Sequence, residues 1–414
     1  LRKKSCLERI LMRLALIIDD YLPHSTRVGA KMFHELALEL QSLGHNITVI
    51  TPAENQQYSL YVDNLDGITV WRFKNGPIKN VKRISRAINE TLLSYNAWKA
   101  IKHLVNKDSF DGIIYYSPSI FWGKLVNNLK KKCQCPSYLI LRDLFPQWVV
   151  DAGMLKSGSL IEKYFRFFEQ YSYKQASIIG LMSKKNLDFF YTHKNNKYYK
   201  CEILRNWANT SEISIKKEGY TSIRTSLNLQ NKTIFFYGGN IGHAQDMENL
   251  MRLVKKMSIY PDAHFLFIGQ GDEVDLINSL ANKWNLSNFS YLPSVNQNEF
   301  KLILKEIDIG LFSLAAHHSA HNFPGKLLGY MANHIPILGS VNVGNDLLDL
   351  INHENAGFVH INGEDDDLFE SAKKLYLDIT LRKKCGHDAY KLLCKEFAVT
   401  SIASTLIDRL RLLK

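Results

Sequence analysis

Short apolar runs alternate with amphipathic segments along most of this 414-residue chain. The apolar run Leu14 to Asp19 is followed by Ala30 to Leu43, whose apolar residues recur at helical spacing, and then by the apolar run Asn46 to Thr51. Strand, helix and strand in this order require a parallel sheet, because the helix returns the chain to the same end. A second array of this kind begins at Thr233 to Tyr237. The sequence therefore predicts an α/β fold with two parallel-sheet domains.

A polar, irregular stretch at residues 210–231 separates the two arrays. We predict a first domain at residues 12–205, a second at 206–397 and a C-terminal helix at 398–414. Met12 is expected to be the natural start, so residues 1–11 are left out of this division. The helix predicted at Ile161 to Gln175 is rich in aromatic residues, and we expect it to lie in the core of the first domain.

The net charge of +12 is unevenly distributed, with +14 on residues 1–205 and −2 on residues 206–414. Within the first half, Arg72 to Lys107 carries nine basic residues and one acid, interleaved with apolar residues and Trp98. This composition is typical of an amphipathic helix on an anionic membrane surface. The alternative is a solvated helix face packed on the sheet. Nucleic acid is not expected as a partner, because no DNA- or RNA-binding signature accompanies the charge.

The residues with redox or metal chemistry indicate neither disulfides nor a metal. The six cysteines are scattered and form no CxxC pair. Glu8, Arg9 and Arg13 interrupt the apolar N-terminal segment, so we expect no signal peptide, reduced thiols and a cytoplasmic protein. His317, His318 and His321 cluster, but no further ligand stands at metal-binding spacing. A GxGxxG motif is absent, which argues against NAD or FAD.

One stretch, Ala315 to Ile351, combines the features of an anion site. Phe323-Pro324-Gly325 precedes a helix beginning at Lys326, and Gly344-Asn345-Asp346 opens another helix after an apolar strand. Free N–H groups at helix N-termini favour anions, and Lys326 adds a positive charge. The alternative is that both glycines only make tight turns and that Lys326 is a solvated surface lysine.

Two further positions at predicted strand ends are candidates for chemistry. The glycine-rich turn Gly238 to Gly242 follows the strand Thr233 to Tyr237, and glycines there let the backbone approach a ligand closely. Arg142-Asp143 directly follows the apolar run Pro136 to Leu141. Ligands of open α/β sheets bind beyond the carboxyl ends of the strands, so this charged pair is placed for catalysis. The alternative is that Arg142 and Asp143 merely pair or cap.

Five strings carry a family resemblance: DDYLPHSTRVGAK, RDLFPQWVVDAGML, YGGNIGHAQ, FPGKLLGYMA and GNDLLDLI. Together they resemble the retaining family-four GT-B glycosyltransferases, and within them the WbuB-like L-fucosamine transferases of O-antigen and capsule assembly. The resemblance covers nearly the whole chain from Met12. It implies a GT-B fold, with two Rossmann-like domains facing across a cleft and a C-terminal helix packing back on the first domain.

The resemblance also implies an activity. A sugar, for which N-acetyl-L-fucosamine is the best candidate, would move from UDP to a polyprenyl-diphosphate-linked sugar with retention at the anomeric carbon. The enzyme would need no metal or other cofactor and would lie in the cytoplasm, peripherally on the inner face of the cell membrane. Three alternatives stay open: transfer of another UDP-hexosamine, a GT-B-fold sugar-nucleotide epimerase, and a non-enzymatic two-domain binding protein.

The residue roles follow from the same resemblance. Asp143 would orient or deprotonate the acceptor hydroxyl, Lys326 would stabilise the leaving diphosphate, and His321 would contact the donor sugar. The nucleotide-sugar-binding residues would be Gly29, Arg205, Gly239, Asn240, Gly242, Gln245, Phe323, Pro324, Gly325, Gly344, Asn345 and Asp346.

The chain departs from the family pattern where charge is expected. The two glutamates of the family's E-x7-E motif are replaced by His321 and Gly329. The basic residues that clamp the diphosphate are replaced by Asn240 and Gln245, both neutral. Charge neutralisation therefore has to come from Lys326, with Arg205 and the helix N-termini in support. Asp346 or Asp349 could take over the ribose contact, and the usual His-Asp of the first domain reads Arg142-Asp143.

Overall fold

The computed structural model describes residues 11–23, 25, 27–54, 56–78, 81–151, 153–192, 196–207, 219–316 and 323–414. The chain divides into two compact units. The first unit comprises residues 1–208 and 399–414, and the second comprises residues 209–398. Each unit is built on its own sheet with helices on both faces, which is the predicted α/β architecture.

The strands of the first unit are β1 (Arg13–Ile17), β2 (Asn46–Ala53), β3 (Leu60–Leu65), β4 (Ile68–Lys74), β5 (Gly112–Ser117), β6 (Ser137–Leu141), β7 (Ile178–Leu181) and β8 (Cys201–Ile203). They form one sheet of order β3-β4-β2-β1-β5-β6-β7-β8. The edge strand β3 is antiparallel to β4, and the other described pairs are parallel. The central strands read as continuous apolar runs because both of their faces are buried.

Helices cover both faces of this sheet. Those before the second unit are α1 (Val28–Ser42), α2 (Arg83–Ile101), α3 (Gly123–Cys133), α4 (Gln147–Asp151), α5 (Leu160–Gln175) and α6 (Lys184–Thr192). On one face the core includes Phe33, Leu36 and Leu40 of α1. On the other it includes residues of α2 and α3 such as Leu93 and Leu129. The apolar residues recur at helical spacing, so each helix packs its apolar face against the sheet.

Two details of the first unit differ from the sequence prediction. The basic segment Arg72 to Lys107 is not one helical stretch, because β4 runs to Lys74 and α2 begins only at Arg83. The aromatic helix α5 is only partly core: Tyr173 is buried, whereas Tyr164 and Phe167 are exposed. The prediction was wrong for this face because the buried stripe of α5 runs through Glu169, Ser172 and Tyr173. No helix among the described residues is long and apolar enough to cross a membrane.

The strands of the second unit are β9 (Thr233–Asn240), β10 (Ala263–Gln270), β11 (Phe289–Leu292), β12 (Ile309–Ser313), β13 (Ile337–Val341) and β14 (Gly357–Ile361). The sheet order is β11-β10-β9-β12-β13-β14, and each described pair is parallel. The carboxyl ends of β9, β12 and β13 therefore lie side by side at one edge of the sheet.

The helices of the second unit are α7 (Ile223–Ser226), α8 (Met247–Met257), α9 (Val274–Lys283), α10 (Gln297–Leu304), α11 (Lys326–Ala332), α12 (Asp346–His353), α13 (Asp365–Leu377) and α14 (Ile379–Leu392). The core beneath them is aromatic, with the rings of Phe235 and Phe265 stacked at 4.6 Å between centroids on adjacent strands. The carboxylate of Asp308 accepts hydrogen bonds from Arg224 and from the backbone N–H of Ile234, so it ties α7 to the start of β9.

The last helix, α15 (Val399–Leu412), belongs to the first unit. Its residues Leu406 and Leu410 are fully buried in the core that also holds α1. At its end, Lys414 Nζ lies 2.6 Å from Asp111 Oδ1, and Arg13 pairs with the same carboxylate. The C-terminal helix therefore packs back on the first unit, as predicted.

Candidate active site

The turn at the end of β9 brings backbone close to a buried cation. Gly239 has a φ of +124°, a conformation that favours glycine. A Cβ placed there would lie 3.6 Å from Lys326 Cε and 3.7 Å from its Nζ. The glycine therefore leaves open the space beside the lysine, at the carboxyl edge of the second sheet.

Lys326 is the first residue of α11, and its side chain ends beneath this turn. Its Nζ lies 3.4 Å from the centroid of the Tyr237 ring. The ammonium is buried and has no hydrogen-bond partner among the residues that the structure describes. Burial therefore holds the pKa of Lys326 well below its ordinary value. A buried ammonium with unused N–H groups is suited to an incoming anion, and the alternative of a solvated surface lysine is not what the structure shows.

The two amides that replace the family's basic clamp bind each other. Asn240 Nδ2 donates to Gln245 Oε1 at 2.6 Å, and Asn240 is exposed. Gly242 lies between them in sequence, and a Cβ there would come within 2.4 Å of Asp272 Oδ1. The turn is thus compact and neutral, which leaves Lys326 as the nearby positive charge.

Acidic side chains from the loop after β10 hold the other side of this turn, and sequence reasoning did not identify them as site residues. Glu273 Oε1 lies 2.7 Å from His243 Nδ1, and Glu273 Oε2 accepts the backbone N–H of Met247 at 3.1 Å. Glu273 is buried and fixes the start of α8 relative to the turn. The signal in the sequence was Asp272-Glu273 directly after the Gly269-Gln270-Gly271 motif.

The predicted residues around α11 and α12 are mostly used to hold these helices. The ring of Phe323 packs on Phe397 at 4.5 Å, and the Pro324 carbonyl accepts the N–H of Leu327. Asn345 caps α12 by accepting from Leu347 N at 3.1 Å. Gly344 precedes it with a φ of +73°.

Three more of the predicted residues complete this region. Gly325 stands before α11 with no atom within 4 Å of an added Cβ, and Asp346 is the first residue of α12. Gly329, where the family has its second glutamate, lies within α11, and a Cβ there would meet Leu304 at 3.4 Å. The catalytic candidate His321 and the neighbouring His317 and His318 lie outside the described residues.

In the first unit, Arg142 and Asp143 follow β6 but have different environments. Arg142 Nη2 donates to the Arg205 carbonyl at 3.0 Å, and its guanidinium lies 5.8 Å from the Trp207 ring. Burial lowers the pKa of Arg142 to about 10. This arginine thereby anchors the segment that carries Arg205.

Asp143 lies open at the carboxyl edge of the first sheet. Its backbone carbonyl accepts a hydrogen bond from Ser117 Oγ at 3.4 Å, and the residue is exposed to solvent. Neighbouring protein atoms remove water from the carboxyl and raise its pKa, Arg142 opposes this shift, and Asp19 adds to it. A carboxylate with a raised pKa at a strand end is suited to accept a proton from a substrate hydroxyl.

Gly29 is the second residue of α1 and faces the end of β5. A Cβ there would lie 3.3 Å from the Tyr116 hydroxyl. The preceding loop is held by Arg72, which donates to the Leu22 carbonyl, and by Tyr21, whose hydroxyl lies 2.9 Å from His34 Nδ1. The first sheet thus presents Gly29 and Asp143 at one edge, and the second sheet presents Lys326 and Gly239 at another.

Residues 220–392 match the protein-family model described as "Glycosyl transferases group 1". This segment, which is less than half of the chain, resembles a group 1 glycosyltransferase domain. It lies within the second unit and contains the glycine turn and Lys326. The prediction of a glycosyltransferase is confirmed at this level.

Two curated relatives agree with this assignment. The chain is 24% identical over 221 residues to a protein named as a glycosyltransferase, WbjE of Pseudomonas aeruginosa, over 53% of this chain and 54% of that protein. It is 22% identical over 346 residues to a protein named as a colanic acid biosynthesis glycosyl transferase, WcaI of Escherichia coli K12, over 78% of this chain and 81% of that one. The match with WbjE thus spans about half of that relative's length.

Solved structures share the fold of both units. The HepE protein of Anabaena, solved with UDP and glucose, superposes with a TM-score of 0.61 at 14% identity, over 97% of this chain and 100% of that one. WaaG, a glycosyltransferase involved in lipopolysaccharide biosynthesis, gives 0.56 at 14% identity, over 96% and 99%. These likenesses confirm the predicted GT-B fold.

Proposed function

We propose that this protein transfers a sugar from a UDP-sugar to a polyprenyl-diphosphate-linked sugar, with retention at the anomeric carbon, in the assembly of a bacterial surface polysaccharide. The donor we favour is UDP-N-acetyl-L-fucosamine. The protein-family model that matches residues 220–392 supports sugar transfer, and the name of WcaI supports a role in polysaccharide assembly. The solved structure with UDP and glucose supports a uridine nucleotide as the donor's carrier.

The observation that carries this proposal is the buried ammonium of Lys326. An ammonium buried without a hydrogen bond destabilises the free protein, and an anion that accepts from its N–H groups removes this cost. A diphosphate supplies anionic oxygens that can accept from all of its N–H groups. The open space beside Gly239 gives a phosphate access to the lysine.

Chemistry at the donor then depends on charge. As the bond between the anomeric carbon and the phosphate oxygen breaks, negative charge develops on the departing UDP. Lys326 and the backbone N–H groups of the β9 turn stabilise this charge through preorganised donors. The neutral Asn240–Gln245 pair contributes hydrogen bonds rather than charge. The proposal therefore assigns the cationic role to Lys326 and requires no metal.

Chemistry at the acceptor depends on Asp143. Its carboxylate accepts the proton of the attacking hydroxyl, and the raised pKa makes it a better base than an ordinary aspartate. The reaction takes place on the cytoplasmic face of the membrane, where the polyprenyl-linked acceptor is anchored. The basic first half of the chain supports this location.

The test is UDP release from UDP-N-acetyl-L-fucosamine with and without a synthetic N-acetylglucosamine-diphospho-lipid. We expect release that depends on the acceptor, a lipid product whose mass increases by one sugar, and the donor's anomeric configuration in that product. Equal turnover in EDTA and in added Mg²⁺ is expected as well. Turnover of the sugar nucleotide without any acceptor would instead support an epimerase. Silence with every UDP-sugar would refute the proposal.

A further inference from the structure

Helix α2 exposes an apolar stripe to solvent. Ile84, Ile88, Leu92 and Tyr95 recur at spacings of three and four residues, so they lie along one side of the helix. All four are exposed, and Ile84 keeps 77% of its surface in solvent. The opposite side of α2 is buried through residues such as Leu93. The exposed stripe is therefore a second apolar face that the fold of the first unit does not use.

Helices α4 and α5 carry a stripe of the same kind. Leu160, Ile161, Tyr164 and Phe167 lie along one side of α5, and Leu160 is 84% exposed. Trp148 of α4 is half-exposed. Ile161, Tyr164 and Phe167 belong to the helix that was predicted to lie in the core.

The two stripes form one surface. Thr91 Oγ1 of α2 and the Tyr164 hydroxyl of α5 lie 2.5 Å apart. The ring of Phe145, just before α4, packs on Phe165 of α5 at 4.9 Å and lies 6.4 Å from the Trp148 ring. The exposed apolar residues of α2, α4 and α5 are called here the α2–α5 surface.

This surface lies at the functional edge of the first unit. Helix α4 begins six residues after the end of β6, and α2 begins nine residues after the end of β4, so both helices follow loops from the carboxyl edge of the sheet. Asp143 follows β6 directly, and α4 begins four residues later. The α4 part of the α2–α5 surface therefore follows closely in the chain on the carboxylate that we assign to the acceptor.

The charge around the surface is positive. Lys82 and Lys99 flank the stripe of α2, and Lys156 and Lys163 flank that of α5, all four exposed. The acids of α2 and α5 are paired with arginines rather than with these lysines. Glu90 pairs with Arg86 at 2.8 Å, and Glu162 and Glu169 both pair with Arg166, at 3.3 and 3.1 Å. The surface thus combines exposed aliphatic and aromatic side chains with lysines whose charge is not cancelled within these pairs.

We propose that the α2–α5 surface docks on the surface of an anionic lipid bilayer. Apolar side chains enter the boundary between headgroups and acyl chains, tyrosine and tryptophan lie at that boundary, and lysines contact anionic headgroups. A soluble acidic protein would match the lysines but would not match so extended an aliphatic stripe. The inference rests on the proposed function in one respect, since it names the surface by which the enzyme meets its membrane-bound acceptor.

The test is co-sedimentation of the full chain with vesicles, without any substrate. The vesicles contain either phosphatidylglycerol with phosphatidylethanolamine or phosphatidylcholine alone. The double variant Ile84→Glu with Leu160→Glu disrupts the surface. Its matched control is Ile259→Glu with Leu377→Glu, because these residues are 70% and 63% exposed in the second unit. UDP affinity and the unfolding midpoint of each variant, compared with wild type, establish that it is folded.

We expect the wild type to sediment with the phosphatidylglycerol vesicles and to bind phosphatidylcholine weakly. The Ile84→Glu and Leu160→Glu pair lowers the ratio of bound to free protein by about tenfold or more, whereas the control pair leaves it unchanged. The charge-reversed pair Lys156→Glu with Lys163→Glu also weakens binding, and added salt narrows its difference from wild type.

Three results would overturn the inference. The first is equal binding by the surface pair and the control pair. The second is wild-type binding to phosphatidylcholine as strong as to phosphatidylglycerol. The third is a change in molar mass by light scattering on mutating the surface, with vesicle binding intact, which would assign it to a second copy of the chain. UDP binding is measured separately, so failure of the proposed function would not be mistaken for failure of lipid docking.

Discussion

Replacing Lys326 by Met should change two measured quantities, the stability of the free protein and its affinity for UDP, in different ways. Methionine keeps an unbranched apolar chain of similar length but removes the charge and the N–H donors. In the free protein, the change removes a buried group that has no hydrogen bond among the described residues, and it also removes the contact with the Tyr237 ring. We therefore expect stability to change little or to increase while UDP binding is weakened.

The magnitudes follow from these two contacts. An unsatisfied buried donor costs about 1–3 kcal/mol, and a desolvated cation–π contact is worth up to about 2 kcal/mol. The change in the free energy of unfolding should thus lie between a loss of about 1 kcal/mol and a gain of about 3 kcal/mol. A hydrogen bond to a charged group contributes about 1.5–3 kcal/mol, so UDP affinity should fall roughly 10- to 150-fold.

The assays are isothermal titration with UDP and urea unfolding without ligand. The control is Lys255→Met, because Lys255 also lies over an aromatic ring, at 4.8 Å from the Trp284 centroid, but on the exposed side of α8. We expect the control to leave UDP affinity unchanged. Wild-type UDP affinity in the Lys326→Met variant, or a loss of several kcal/mol of stability, would refute the reasoning.

Four further results are expected. Gly239→Ala should cost about 1–2 kcal/mol of stability, because the φ of Gly239 is +124°, and should weaken UDP binding about tenfold. Its control is Gly363→Ala, at a φ of +106° and with no atom within 4 Å of the added Cβ, which should cost similar stability but keep UDP affinity. Asp143→Asn should lower turnover about 100-fold without changing UDP affinity. In wild type, kcat/KM should fall as the pH drops through the raised pKa of Asp143, and the variant should lack this fall. Turnover equal to that of wild type would remove this residue from the mechanism. Burial lowers the pKa of Lys326 in the free protein, and a bound anion raises it again, so UDP binding should take up a proton at a pH between the free and the bound pKa. Calorimetric titrations in buffers of different ionisation enthalpy would contradict this if the observed binding enthalpies agreed. Asp111→Asn should lower the free energy of unfolding by about 1–3 kcal/mol at pH 7. Because Arg13 holds the pKa of Asp111 below its ordinary value, this stabilisation is present above about pH 4 and should vanish in acid. Urea unfolding of wild type and variant at several pH values tests this.

The alternation of strands and helices could be predicted because each apolar run is short and is followed by glycine, proline or a polar turn. Two strands were expected at Leu14 to Asp19 and at Thr233 to Tyr237. The first overlaps β1 (Arg13–Ile17), and the second forms part of β9. The edge strand β3 was not anticipated, since its residues Leu60–Leu65 are exposed or half-buried and lack a clear apolar period. Its place depends on pairing with β4 rather than on local pattern.

The candidate site was only partly readable from the sequence. Position in the chain indicated Lys326 and the glycine turn, but not that the ammonium lies beneath the turn on the ring of Tyr237. That contact depends on how α11 packs against β9. Likewise, the pair Arg142-Asp143 suggested two catalytic charges, whereas tertiary packing uses Arg142 to hold the Arg205 carbonyl.

The exposed face of α5 shows the same limit. Aromatic residues usually lie in cores, so Tyr164 and Phe167 were assigned there. Helical spacing alone does not say which of two apolar stripes meets the sheet. The packed stripe is the one that includes Tyr173, and the other stays outside.

The most direct test of the account is a crystal structure of the protein with UDP. We predict the nucleotide at the carboxyl edge of the second sheet, with an oxygen of its β-phosphate about 2.7–2.9 Å from Lys326 Nζ and the diphosphate against the backbone of Gly239. UDP bound at another place, with Lys326 still on the Tyr237 ring and out of contact with phosphate, would contradict the account.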